Sequence, residues 1–172
     1  MRKFVCLLLT LLAGAYGLAA AGEFDTRVAM RANSATTFYV QGEIAGLGSV
    51  DLMVDTGSGY MTINEEMLAA LQNTGRIRYV KQLRGRLANG TEMDVPVYAI
   101  EAVSIGNGCW LKDVEAAVFP GNTRAILGLN ALQRAAPFIF SFEPPQLVLS
   151  HCAAAVTASA SAPAADLAAF VD

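Results

Sequence analysis

The run Val50-Asp51-Leu52-Met53-Val54 alternates apolar side chains, and it ends on an ionisable one, Asp55, set directly before Thr56-Gly57-Ser58-Gly59. Val50, Leu52 and Val54 share one face of an extended strand. The glycines then break that strand at once. A carboxylate at this point either decorates an Asx-type turn or is held in one place by the fold. Whatever accommodates it is built of short strands, because the same texture recurs along the chain.

Residues 36–46 (TTFYVQGEIAG) are β-branched and aromatic, and Gly46-Leu47-Gly48-Ser49 turns them into SVDLMV as a hairpin. DTGSG interrupts, and YMTI resumes an extended pattern. Asn64 caps a helix EEMLAALQ whose two glutamates face the favourable end of the helix dipole, and Gly75 closes it. IRYVKQLRGRL and TEMDVPVYAI are two arms joined by Ala88-Asn89-Gly90, a strong hairpin signal. Pro96 makes the second arm an edge strand for part of its length. EAVSIGNG and LKDVEAAVF give two more short strands around Gly106-Asn107-Gly108. AILGLN follows, then a brief helix LNALQRAA stopped by Pro137. FIFSF and QLVLS end the pattern as a hairpin around Glu143-Pro144-Pro145. Many short strands, glycine turns and two short helices define an all-β barrel or sandwich.

The 172 residues divide into one domain and its extensions. Residues 1–21 have the layout of a secretory signal peptide: Arg2 and Lys3, the apolar run FVCLLLTLL, then Ala19-Ala20-Ala21 before Gly22. An uncleaved anchor is the competing reading, but Thr10, Gly14, Tyr16 and Gly17 interrupt the apolar stretch. Cleavage leaves no stable membrane span and an exported protein. Residues 22–35 lack periodicity and are expected as a loose N-terminal lead-in. The domain then occupies 36–150, and 151–172 form an Ala/Ser-rich tail expected to be disordered. A net charge of −3 carries no nucleic-acid footprint. Of three cysteines, Cys6 falls in the leader; Cys109 and Cys152 remain, and in an oxidising compartment a disulfide is placed ahead of two free thiols.

The available chemistry is narrow. The single histidine, His151, lies beside Cys152 at the edge of the tail. No cluster of His, Cys and carboxylates suggests a metal site, and no glycine-rich motif suggests a nucleotide cofactor. Ser58 lacks the G-x-S-x-G frame of a serine nucleophile. A Cys109/His151 pair has no local signature. Carboxylate chemistry remains.

Val54-Asp55-Thr56-Gly57-Ser58-Gly59 resembles the active-site loop of aspartic proteases, and Ala125-Ile126-Leu127-Gly128-Leu129-Asn130 resembles that family's second hallmark, two apolar residues and a glycine leading into a short helix. The order of elements over roughly 36–150 also matches. With one such loop, the chain resembles the single-domain, retroviral-type (retropepsin-like) branch, which has exported bacterial members. The resemblance implies an acid-protease barrel of one lobe that dimerises, with Asp55 catalytic, Thr56, Gly57 and Ser58 forming its loop, and Asn89, Gly90 and Thr91 at the tip of a flap. It also implies Gly128 and Asn130 behind the loop, a protein or peptide substrate, and a bacterial periplasmic home. Retroviral members carry Arg where Leu129 stands here.

Peptide hydrolysis by two carboxylates needs one ionised, to take a proton from water, and one protonated, to polarise the carbonyl. Two carboxyls forced together share a proton and titrate as a pair. Thr56 and Ser58 offer hydroxyls to fix the loop and to hydrogen-bond the outer carboxylate oxygen. Asp51, Asp94 and Asp113 have different surroundings, and Asp166 and Asp172 lie in the tail, so the second carboxylate is expected from Asp55 of another copy. Leu52, Met61, Leu87, Val95 and Val118 are candidates for the core or for substrate subsites, with core preferred for most. The competing functional readings are a non-catalytic binding or scaffold module on the same fold and, more remotely, a Cys109/His151 hydrolase.

Overall fold

The computed structural model describes residues 24–33, 36–86 and 89–152. The signal-like segment, Leu87, Ala88 and the tail from residue 153 lie outside the described residues. Ten strands and two short helices follow one another: β1 (Thr26–Ala32), β2 (Phe38–Ile44), β3 (Gly48–Val54), β4 (Met61–Asn64), α1 (Glu65–Asn73), β5 (Ile77–Arg86), β6 (Glu92–Ile105), β7 (Cys109–Phe119), β8 (Ile126–Leu127), α2 (Leu129–Leu132) with a 3-10 turn (Gln133–Ala135), β9 (Phe138–Phe142) and β10 (Pro145–Leu149). The strands hydrogen-bond in the order β5-β6-β7-β4-β8-β3-β2-β1-β10-β9, and an added pairing of β2 with β6 closes the barrel. The expected all-β barrel with two short helices is what the chain forms. Among the described residues no helix is long and apolar enough to cross a membrane.

Local chemistry accounts for the elements. In β2, Phe38, Val40, Gly42 and Ile44 alternate inward as the period-two pattern requires. Asn64 takes an extended backbone and its side chain accepts from the Met67 N–H at 2.8 Å, capping α1 with Glu65 and Glu66 in the first turn. Two expectations are corrected. The lead-in over 22–35 is not loose throughout: β1 pairs with β10 from Thr26↔Leu149 to Ala29↔Gln146, then with β2 from Met30↔Val40 to Ala32↔Phe38. The segments TEMDVPVYAI and EAVSI are one strand, β6, because nothing between them breaks the chain. Its residues 92–96 pair with β5 alone, and the β7 register begins at Val97↔Ala117, so Pro96 does sit on an edge.

The core divides in two. Val40, Ile44, Leu52, Met61, Ile63, Ile100 and Leu127 belong to the main cluster, sealed from below by Leu147 and Leu149. A smaller cluster of Val95, Val97 and Ala117, flanked by Tyr60, Leu83, Met93 and Phe119, lies under the β5–β6 hairpin. Cys109 and Cys152 are disulfide-bonded, fastening the start of β7 to the residues after β10.

Candidate active site

Asp55 leaves the end of β3, where that strand runs parallel to β8 with Met53↔Ile126 and Val54↔Leu127 in register. Beyond it the loop 55–59 is laced to the segment after β8. The Asp55 N–H donates to the Leu127 carbonyl at 3.2 Å, Leu129 N–H to Ser58 at 2.8 Å, and Asn130 N–H to Gly59 at 3.2 Å. Asn130 adds a side-chain bridge: its Oδ1 accepts from Met61 N–H at 2.6 Å, and its Nδ2 donates to the Glu115 carbonyl at 2.7 Å. One amide thus joins the Asp55 loop's exit strand to β7.

This crossing explains Gly128. A Cβ built there would stand 2.1 Å from the Tyr60 carbonyl oxygen and 2.8 Å from Met61 N. The two backbones touch, and only a residue without a side chain fits between them.

The carboxylate itself is half-buried, and Gly57 N–H donates to its Oδ1 at 2.8 Å. The hydroxyls divide differently from expectation. Ser58 Oγ donates to the Tyr60 carbonyl at 2.8 Å, so it fixes the loop and leaves the carboxylate alone. Thr56 and Gly57 are exposed, and Thr56 Oγ1 bonds nothing among the described residues. Three other aspartates pair with arginines at the surface: Asp51 with Arg31 at 2.8 Å, Asp94 with Arg84 at 3.1 Å, and Asp113 with Arg78 at 3.6 Å. Asp55 has no such partner among the described residues.

Asp55 opens onto a cleft of about 570 Å³. Tyr60 just before β4 and Thr62 within it, Leu83, Gly85 and Arg86 of β5, Val95 of β6, Ala117 and Phe119 of β7, and Ile126 of β8 line it. Of the five apolar candidates from the sequence, Val95 alone reaches the cleft among those described. Leu52, Met61 and Val118 are core residues, and Leu87 is not described. The missed lining residues carried a signal, the period-two pairs 60/62, 83/85 and 117/119. Those pairs reveal a common face but not whether it meets the core or a cavity. At the flap tip, Asn89 Oδ1 accepts from Thr91 N–H at 2.9 Å and Gly90 has φ +84°. The tip does not line the cleft; the arms below it do.

Tyr60, on the cleft wall, has a cation beside it. Lys81 Nζ lies 2.8 Å from Glu115 Oε2 and 5.4 Å from the centre of the Tyr60 ring. The bond to Glu115, and secondarily Tyr60, raises its pKa above the usual lysine range. The cysteine-hydrolase alternative is removed: Cys109 is fully buried in its disulfide, and His151 Nδ1 is engaged with the Ala136 carbonyl.

A protein-family model described as "gag-polyprotein putative aspartyl protease" matches residues 40–134, a span that includes the Asp55 loop, the hairpin and Gly128. A retropepsin-like aspartic protease from Rickettsia conorii is similar in structure, with a TM-score of 0.53 and 21% identity over 76% of this chain and 92% of that one. The retroviral protease-like domain of Ddi1 from Leishmania major aligns with a TM-score of 0.49 and 18% identity over 67% of this chain and 89% of its own. A search of curated proteins gave no match. The fold is retropepsin-like.

Proposed function

Since the chain belongs to the gag-polyprotein aspartyl protease family, we propose that it is an aspartic endopeptidase whose catalytic dyad is Asp55 from each of two copies. The observation that carries this reading is the placement of Asp55. It is a carboxylate without a cation, pinned by a backbone N–H, at the mouth of a largely apolar cleft. Its neighbours Thr56 and Gly57 face outward, where a second loop can approach.

In the dimer the two carboxyls hold one proton between them. The ionised one takes a proton from the attacking water as its oxygen bonds to the scissile carbonyl carbon. The protonated one donates to the carbonyl oxygen, and the resulting diol collapses as a proton passes to the leaving nitrogen. The substrate lies extended under the β5–β6 hairpin, held through its backbone, with Leu83, Phe119 and Ile126 offering apolar contact. Closure of the hairpin excludes water. Activity falls as pH rises and the shared proton is lost. We place the protein outside the cytoplasm, on the signal-like 1–21 and the Cys109–Cys152 bond.

Asp55→Asn is the direct test, measured on an unfolded polypeptide over a range of enzyme concentrations. Loss of cleavage with the fold intact, and a wild-type rate that climbs more steeply than linearly with concentration, support the dyad. Full cleavage by the variant refutes it, and an inert wild-type chain favours the scaffold alternative.

A further inference from the structure

Thr62 Oγ1 is buried and finds no hydrogen-bond partner among the described residues. Native structures leave few such groups, and each needs a reason. Thr62 is 5% exposed and stands in the wall of the Asp55 cleft. It is in register with Ala117 on one side and Ile126 on the other. Side chains paired in this way share a face of the sheet. All three line the cleft, as do Tyr60 and Phe119, two residues along their own strands. The Thr62 side chain therefore points at the cleft, and rotation about its Cα–Cβ bond re-aims the hydroxyl there.

The needs of the core do not explain this hydroxyl. Ser104, also buried, has its Oγ bonded by Glu43 N–H at 2.9 Å. Met61 and Ile63, on either side of Thr62, belong to the main core on the opposite face of β4. Valine would fill the place of Thr62 with the same shape and leave no polar atom stranded. What sets Thr62 apart is the cleft in front of it.

We propose that Thr62 is a specificity-determining residue, whose hydroxyl selects a neutral hydrogen-bonding side chain (Ser, Thr or Asn) at one position of the peptide substrate. This rests on the reading of the cleft as that of an endopeptidase and names a class of sequence it cleaves. The hydroxyl has no bond to give up, so a bond from the substrate is a full gain on the protein's side. A charged substrate group is disfavoured, because the register neighbours are apolar and Val95 and Val97 pack against Ala117. Strands β4, β8 and β3 are adjacent, which sets Thr62 two strand spacings, roughly 10 Å, from the strand that leads to Asp55. An extended substrate covers that span in about three residues, so the selected position lies close to the cleaved bond.

The test starts from a peptide that wild type releases from an unfolded polypeptide. Matched pairs, Thr against Val and Ser against Ala, are placed at each position flanking the cleaved bond and compete for wild type, Thr62→Val and Thr62→Ser. Mass spectrometry reads the ratios of kcat/KM. Wild type should prefer the hydroxyl at one position on the order of tenfold. Thr62→Val should lose that preference or reverse it while melting at or above wild type, and Thr62→Ser should keep it. If wild type cleaves without such a position, or folded Thr62→Val keeps the preference, the proposal is overturned and the Asp55 dyad stands. Should Thr62→Val misfold, loss of the preference in Thr62→Ser or its persistence in Thr62→Ala overturns the proposal by itself. A wild-type chain that cleaves nothing overturns both readings together.

Discussion

Gly128→Ala isolates the contact on which the position of Asp55 depends. The added methyl would lie 2.1 Å from the Tyr60 carbonyl oxygen and 2.3 Å from its carbon. Both obstacles are backbone, so no side chain can swing aside. Relief requires moving the start of β4 or the turn into α2. Either movement stretches the Asn130 bridge to Met61 N–H at 2.6 Å and the Leu129 N–H bond to Ser58 at 2.8 Å. Overpacking of this kind costs about 1–3 kcal/mol, and each weakened, partly buried hydrogen bond adds about 1 kcal/mol. The total is about 3–5 kcal/mol, a large share of the roughly 5–15 kcal/mol that holds a domain folded.

Thermal and urea denaturation followed by circular dichroism read this directly, with an expected fall in Tm of roughly 10–20 °C. Gly59→Ala, one residue before Tyr60, is the control. A Cβ there meets nothing within 4 Å, and the change should be neutral or slightly stabilising through the unfolded chain. If the two alanine variants melt together, the backbone crossing does not constrain the loop, and the account of Gly128 fails.

Asn130→Leu removes both hydrogen bonds of the bridge and strands Met61 N–H and the Glu115 carbonyl; it should cost about 2–4 kcal/mol in urea denaturation and lower cleavage more than binding. Thr62→Val is nearly isosteric and deletes a buried hydroxyl that finds no partner among the described residues, so stability should rise by about 1 kcal/mol; a loss of that size would mean that the hydroxyl is bonded after all. Reducing Cys109–Cys152, which are separated by 43 positions, should lower stability by about 4 kcal/mol on the loop-closure model, read as a shift of the urea midpoint under dithiothreitol. The Arg84 guanidinium, hydrogen-bonded to Asp94, holds that carboxyl below the usual aspartate range. The folded pKa is depressed, so the pair contributes above the unfolded aspartate pKa, and the contribution fades as pH falls through the folded one. Carboxyl NMR should show Asp94 returning to the ordinary range in Arg84→Gln.

What the sequence made legible follows from the range of each interaction. Asn64, Asn89-Gly90 and Gly106-Asn107-Gly108 act on backbone within a few residues of themselves, and each element they punctuate appears where expected. Asp55 and Gly128 stood out because a carboxylate and a glycine interrupt apolar runs that have no local need of them. β1 was hidden for the opposite reason. Val28 and Met30 are its only buried positions, too few to establish a period, and its partner β10 lies more than a hundred residues away. The bridging role of Asn130 was equally invisible, since one end reaches Met61 and the other Glu115. The cleft walls showed as alternation without direction: Ala117 and Phe119 belong to a small cluster under the hairpin, and separating that cluster from the main core requires the closed barrel.

The same geometry explains why one copy of the chain carries only half of the proposed chemistry. Within the monomer, backbone contacts fix where Asp55 is, through Leu127, Gly57 and the crossing at Gly128. They do not distinguish an acid from a base. That distinction requires a second carboxyl close enough that both cannot ionise. Among the described residues no second carboxyl lines the Asp55 cleft, and Asp51, Asp94 and Asp113 are paired with arginines at the surface. Positioning is therefore a property of the chain, while the acid–base asymmetry belongs to the pair. On this reading, substitutions at Gly128 or Asn130 lower activity along with stability, whereas Asp55→Asn removes activity with the fold intact.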